Sequence, residues 1–185
     1  MRIISGKLKG KSILFLKTSD TRPLKDSVRE NIFNVLTHSN LINLNLQNSN
    51  ILDLYSGVGS FGLEALSRGA KSVTFIEKSP KAIKILSRNI ENLSLKFKSL
   101  VFKNEIETFL NKKKKKKYDI FFLDPPFADN KFINIFTLLK KNKMFNKEHI
   151  VIIHRDRKTE DNFGKILSVF LTKKYGRSKI LFATF

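Results

Sequence analysis

The sequence predicts an α/β domain, a mostly parallel sheet of seven strands ending in an antiparallel hairpin. Three observations predict it. From Ile51 onward, short apolar runs alternate with stretches of helical spacing, the pattern of a parallel sheet covered on both faces. A glycine-rich loop separates the first run from the helix after it, where such sheets bind nucleotides. The tail carries two apolar runs around Gly176 with no helix between them, which reads as a hairpin.

The elements follow in order. The first 16 residues read as two short basic strands around Gly6 and Gly10, ending in Ser12–Leu16, a small N-terminal β-hairpin extension. A helix is expected from Asp26 to His38, with Val28, Ile32, Val35 and Leu36 at helical spacing, and Ser39–Asn50 reads as a linker. The chain thus divides into an N-terminal hairpin and helix, 1–40, and a catalytic domain, 50–185. Strands are expected at Ile51–Tyr55, Lys71–Glu77, Leu100–Lys103, Tyr118–Leu123 and Ile150–Ile153. Helices separate them at Phe61–Arg68, Pro80–Leu93 with proline in its first turn, Ile106–Leu110 and Lys131–Lys141. The closing hairpin spans Ile166–Tyr175 and Ser178–Thr184.

Composition narrows the classes. With 185 residues, 41% hydrophobic, the chain is long enough for one full core. No apolar run approaches the roughly 18 residues of a membrane span, and the first residues lack the apolar core of a signal peptide. The expectation is a cytoplasmic protein with no membrane partner. The absence of cysteine rules out disulfides and thiol nucleophiles. Lys and Arg total 36 against 16 acidic residues, a net charge of +20, which points to a polyanion such as nucleic acid. The competing reading is compositional drift, and Lys112–Lys117 also reads as a solvated loop.

The segment Asp53-Leu54-Tyr55-Ser56-Gly57-Val58-Gly59-Ser60-Phe61-Gly62 ends a strand and opens a helix. Gly57, Gly59 and Gly62 have the spacing that lets backbone approach a nucleotide, and Glu77 ends the next strand, placed to accept from ribose hydroxyls. A pyrophosphate would be opposed by Asp53, whereas a cationic end, such as the sulfonium and ammonium of S-adenosylmethionine, would suit it. The candidate cofactor residues are Asp53, Tyr55, Ser56, Gly57, Gly59, Glu77, Asn104 and Glu105. Asp53 also reads as a loop-shaping acid, and Asn104-Glu105 as an ordinary helix cap.

Asp124-Pro125-Pro126-Phe127 follows the apolar run Tyr118–Leu123. Two prolines stiffen the loop and remove donors, so a carboxylate, a carbonyl and an aromatic face stand in fixed relation. A site gripping a flat base by its exocyclic amine needs those three groups; the plain alternative is a rigid turn. His38, His149 and His154 show no metal-ligand spacing and read as surface or packing residues.

In this order, the glycine loop, the second-strand acid and Asp-Pro-Pro-Phe resemble an amino-group methyltransferase acting on a nucleobase. More narrowly, the chain is similar to the bacterial family that methylates a guanine N2 in 16S ribosomal RNA, the RsmD type. The resemblance spans essentially the whole chain: Arg2–Gly6, Thr21-Arg22-Pro23, Asp26–Glu30, Asp53–Gly59, Gly62–Ala70, Ile76-Glu77, Asp124–Phe127 and Tyr175-Gly176 carry it. It implies a Rossmann-like methyltransferase fold, S-adenosylmethionine as cofactor, no metal, and a monomer acting on 16S rRNA, alone or within a partly assembled small subunit. Asp124, Pro125, Pro126 and Phe127 would be catalytic: the Asp124 carboxylate and Pro125 carbonyl orient the amine while Phe127 stacks on a base lifted from its helix. Arg2, Lys7, Lys9, Lys11, Arg22, Lys25 and Arg29 would contact RNA. Two departures from the family pattern are His154, where an acid is expected, and the lysine run. The alternatives are a DNA adenine-N6 methyltransferase, an NAD-dependent oxidoreductase, and a basic RNA-binding assembly factor without catalysis.

Overall fold

The structure is a computed structural model that describes residues 1–16, 24–112, 116–130 and 132–185. Helix α1 (Asp26–His38) precedes a repeating series. The series runs β1 (Asn50–Leu54), α2 (Ser60–Ser67), β2 (Ser72–Glu77), α3 (Pro80–Asn92), β3 (Ser99–Lys103), α4 (Ile106–Leu110), β4 (Tyr118–Leu123), α5 (Ile133–Lys141) and β5 (Phe145–Asp156). The hairpin β6 (Ser168–Tyr175) and β7 (Ser178–Thr184) completes it. The seven strands lie in the order β3-β2-β1-β4-β5-β7-β6. The first five are parallel, and β7 is antiparallel to both β5 and β6.

The expected architecture is therefore present, and period-two alternation explains its two cores. Ile51, Phe75, Ile120, Phe122 and Ile152 pack against α1, α2 and α3 on one face. Leu52, Leu54, Ile76, Phe121 and Ile153 pack against α4 and α5 on the other. Helix α3 starts as its sequence dictates, with Ser79 accepting from Ala82 N–H and Pro80 in the first turn. Three aromatic rings join α1, α2 and β4: Phe33 stacks on Phe61 at 5.0 Å, and Phe61 on Phe122 at 4.0 Å.

Two expectations change. Strand β5 is 12 residues long rather than four, because Phe145 pairs with Tyr118 across a register shift and β7 extends the pairing to Asp156. The N-terminal arm is the expected small hairpin in a shorter form: Arg2 bridges Ser12 antiparallel, with Ile3 N–H donating to the Lys11 carbonyl and Ile13 N–H to the Met1 carbonyl at 2.9 Å each. Helix α2 takes further donors of the arm. Ile4 and Ser5 N–H groups donate to Glu64 at 2.8 and 3.0 Å, and Leu8 N–H to Ser67 Oγ at 2.9 Å. A Cβ on Gly6, whose φ is +81°, would lie 2.1 Å from the Ser67 carbonyl oxygen, so only glycine permits this approach. Ile3 and Ile13 are buried in the same core as α1 and α2.

Candidate active site

The strand order reverses between β1 and β4, and the crevice beyond the carboxyl ends of these strands is where such sheets bind ligands. A cavity of about 600 Å³ opens there. Tyr55, Ser56, Gly57, Glu77, Asn104 and Glu105 line one part of it, and Asp124 to Phe127 another. Met1, Phe15, Leu16 and Leu24 border it from the N-terminal arm. The two motifs, some 70 residues apart in sequence, thus share one cavity.

The glycine loop is shaped from beneath. Asp53 is 1% exposed, and its Oδ2 accepts from Gly62 N–H at 3.1 Å, while no donor among the described residues reaches Oδ1. Burial, opposed by that hydrogen bond and reinforced by Asp124 and Glu77, pushes its carboxyl well above the usual range. Asp53 and Gly59 stand behind the cavity wall and set its shape. Gly59, at φ +85°, starts α2. Glu77 is fixed by backbone: Oε2 accepts from Gly57 N–H at 2.8 Å, and Oε1 from Lys78 and Ser79 N–H at 3.0 and 2.8 Å. Tyr55, itself at φ +59°, donates its hydroxyl to Asp129 Oδ2 at 3.2 Å. Burial and that carboxylate push the phenol up.

Among the described residues, five carboxylate side chains line the cavity, Glu77, Glu105, Glu107, Asp124 and Asp129, against one lysine, Lys78, which pairs with Glu105 at 3.3 Å. Such a lining repels a pyrophosphate and favours a ligand with a cationic end. The residues present therefore fit S-adenosylmethionine and argue against a dinucleotide.

On the other side, Asp124 Oδ1 lies 2.8 Å from His154 Nδ1. Its carboxylate is about a quarter exposed, toward the cavity. Register explains the pairing: Leu123 aligns with Ile153, so the next residues, Asp124 and His154, stand side by side. The Pro126 carbonyl accepts from Asp129 N–H at 2.8 Å and from Arg155 Nη1 at 3.1 Å. No donor among the described residues reaches the Pro125 carbonyl. Arg155 is fully buried, bound to Asp161 at 2.9 Å and lying over Phe132 at 4.6 Å, so it clamps the Pro-Pro loop from below. Phe127 is half-buried and edge-on to His154.

The structure thus corrects the reading of His154 as a packing residue, because it bonds the motif carboxylate. His149 does pack, beside Phe121, Phe145 and Phe185, and accepts from Phe185 N–H. Arg29 is corrected too. It is wholly buried, 3.0 Å from Asp26 and 3.7 Å from Glu64, and donates to the Arg2 carbonyl, so it cannot meet RNA directly. Arg2, Lys7, Lys9, Lys11 and Lys25 are exposed, and Arg22 lies outside the described residues. Of the lysine run, Lys113–Lys115 also lie outside them. Lys116 bonds Ser72 Oγ at 2.6 Å, at the strand ends opposite the cavity.

A family model described as "Conserved hypothetical protein 95" matches residues 1–184. The chain belongs to this family. A Buchnera aphidicola protein named ribosomal RNA small subunit methyltransferase D is 36% identical over 156 residues, covering 84% of this chain and 76% of its own. The Haemophilus influenzae protein of the same name is 30% identical, covering 85% and 79%. These names place the family as the RsmD type. Among solved structures, the Escherichia coli candidate methyltransferase yhhF superposes with a TM-score of 0.84 at 26% identity, over 99% of this chain and 96% of its own. A candidate methyltransferase complexed with SAH, SMU.776, matches with a TM-score of 0.64 at 15% identity, covering 84% of this chain and 48% of its own, a likeness of fold. The fold is that of S-adenosylmethionine-dependent methyltransferases.

Proposed function

We propose that this chain transfers a methyl group from S-adenosylmethionine to the exocyclic N2 amine of a guanine in small-subunit ribosomal RNA. One observation carries the reading. Asp124 and the Pro125 carbonyl sit, with acceptor capacity to spare, in the same acid-lined cavity as the glycine loop, in a chain whose relatives are named as small-subunit rRNA methyltransferases.

Bound S-adenosylmethionine supplies an activated methyl on a cationic sulfur. The chain's own residues supply alignment. A guanine N2 is a poor nucleophile because its lone pair is delocalised into the ring. Its two N–H groups donating to Asp124 and to the Pro125 carbonyl draw it toward tetrahedral geometry and aim the lone pair. Orientation of this kind contributes up to about 7–11 kcal/mol in well-aligned systems. Phe127 offers a face to the lifted base, and stacking contributes roughly 1–3 kcal/mol. Asp124 is the acceptor nearest the amine for the proton that the methylated nitrogen loses. Asp53, Tyr55, Ser56, Gly57, Gly59, Glu77, Asn104 and Glu105 hold or shape the cofactor site.

Residues 1–40 act as an RNA-facing extension beside the cavity mouth, with Arg2, Lys7, Lys9, Lys11 and Lys25 on phosphates. Converting Lys7, Lys9 and Lys11 to Ala is expected to flatten the salt dependence of RNA affinity by about 0.7–0.9 log units per lost contact. The deciding experiment offers labelled cofactor to naked 16S RNA and to small-subunit particles, then digests the product. N2-methylguanine is expected, from a monomeric enzyme. Methyladenine would assign a different base, and an unlabelled product with cofactor-independent RNA binding would make the chain a non-catalytic factor.

A further inference from the structure

His154 joins three strands at the cavity. Its Nδ1 lies 2.8 Å from Asp124 Oδ1, just past β4, and its Nε2 lies 2.8 Å from Ser178 Oγ, at the start of β7. The residue is 6% exposed and stands edge-on to Phe127, with centroids 5.6 Å apart. An ionised carboxylate only accepts, so beside a charged Asp124 the shared proton belongs to Nδ1. Nε2 of the neutral ring is then an acceptor, which the Ser178 hydroxyl fills. The two contacts together select one tautomer.

We propose that His154 is a positioning residue that holds Asp124 as an acceptor, with one oxygen bound and the other turned to the substrate, so that the site selects an amine over a ring carbonyl. This inference rests on the amine-methylation reading. A protonated Asp124 would present a hydroxyl, and a hydroxyl can bind a carbonyl edge as readily as an amine is bound by the charged form. The next cation on β5, Arg155, is committed to Asp161 and the Pro126 carbonyl. Among the described residues, the His154 N–H is therefore the donor that stabilises the charged carboxylate.

The chain has three histidines, which makes the test direct. A long-range proton–nitrogen correlation spectrum of the labelled full chain, in mildly alkaline buffer, should show, beside His149, whose Nδ1 donates to the Asn146 carbonyl while Nε2 accepts from Phe185 N–H, a second neutral ring protonated on Nδ1, that of His154. The second signal should be absent in His154→Asn. A His154 protonated on Nε2 instead overturns the inference, whatever the activity. Turnover gives a second, independent readout. In His154→Asn the side-chain amide can replace Nδ1–H as donor to Asp124, whereas in His154→Gln the longer amide reaches toward Ser178. A hydrogen bond to a charged group is worth enough that His154→Gln should lower kcat about 10- to 100-fold. His154→Asn should stay within about threefold of the parent, and neither should change cofactor affinity. Equal losses in both variants, or an unchanged kcat in His154→Gln, also overturn it. If the parent chain transfers no methyl group, it is the functional reading that fails, because the spectrum decides the Asp124–His154 geometry without turnover.

Discussion

On the β1–β2 side of the cavity the polar groups are held by backbone. Three N–H groups fix Glu77, and one N–H fixes Asp53. On the β4–β5 side, apart from the Asp129 N–H that donates to the Pro126 carbonyl, they are held by other side chains. His154 holds Asp124, and Arg155 with Asp161 holds the Pro126 carbonyl. The first arrangement gives a rigid mould whose shape depends little on any one side chain. The second gives a site that can be retuned by single substitutions on β5 and β7, each of which changes the charge or direction of a catalytic group.

If the two sides are separable in this way, their variants should separate too. The largest effect is expected from Asp124→Ala: kcat should fall about 10²–10³-fold, the cost of losing one preorganised polar contact, while calorimetry shows cofactor affinity unchanged. A parallel loss of cofactor affinity would break the comparison. Glu77→Ala should do the reverse, weakening cofactor about 10- to 100-fold, because a charge-assisted contact to the ribose hydroxyls is lost. Phe127→Ala should reduce RNA affinity about tenfold, within the range for one lost base stack, and leave cofactor binding intact.

The smallest effect is a pH dependence. Burial raises the Asp53 carboxyl, so the folded chain holds that proton more tightly than the unfolded one. Stability from this group is present below its unfolded pKa and is lost as pH rises through its folded value. Urea denaturation across that interval should show the parent chain losing stability relative to Asp53→Asn, which keeps an acceptor for Gly62 N–H without a charge. A constant difference at all pH values would mean that Asp53 is buried ionised.

The same contrast explains what could be read from the chain. The glycine loop and Glu77 were legible because they lie on strands adjacent both in sequence and in space, 20 residues from Gly57 to Glu77. Asp124 was legible because two prolines mark its loop. His154, Ser178, Arg155 and Asp161 were not, since their places depend on the register of β5 with β4 and β7, and β5 begins in the polar run Asn146-Lys147-Glu148 that looks like a turn. A helical-spacing test on α1 would have flagged Arg29: it follows Val28 by one residue and precedes Ile32 by three, on the face turned toward the core. The arm misled for a different reason. Its alternation suggested pairing within the arm alone, which Ile3 and Ile13 do make, but the donors of Ile4, Ser5 and Leu8 found Glu64 and Ser67 on α2.

That docking also orders events in time. Ile4 depends on Glu64, 60 residues later, and Leu14 on Asn89, 75 residues later. At about 5–20 residues per second, the arm is made roughly 4–15 s before Asn89 is synthesised. Until then its lysines have nothing to fold against. The wall that borders the cofactor cavity is therefore among the first parts of the chain to be made, yet it is set in place only once α3 has followed.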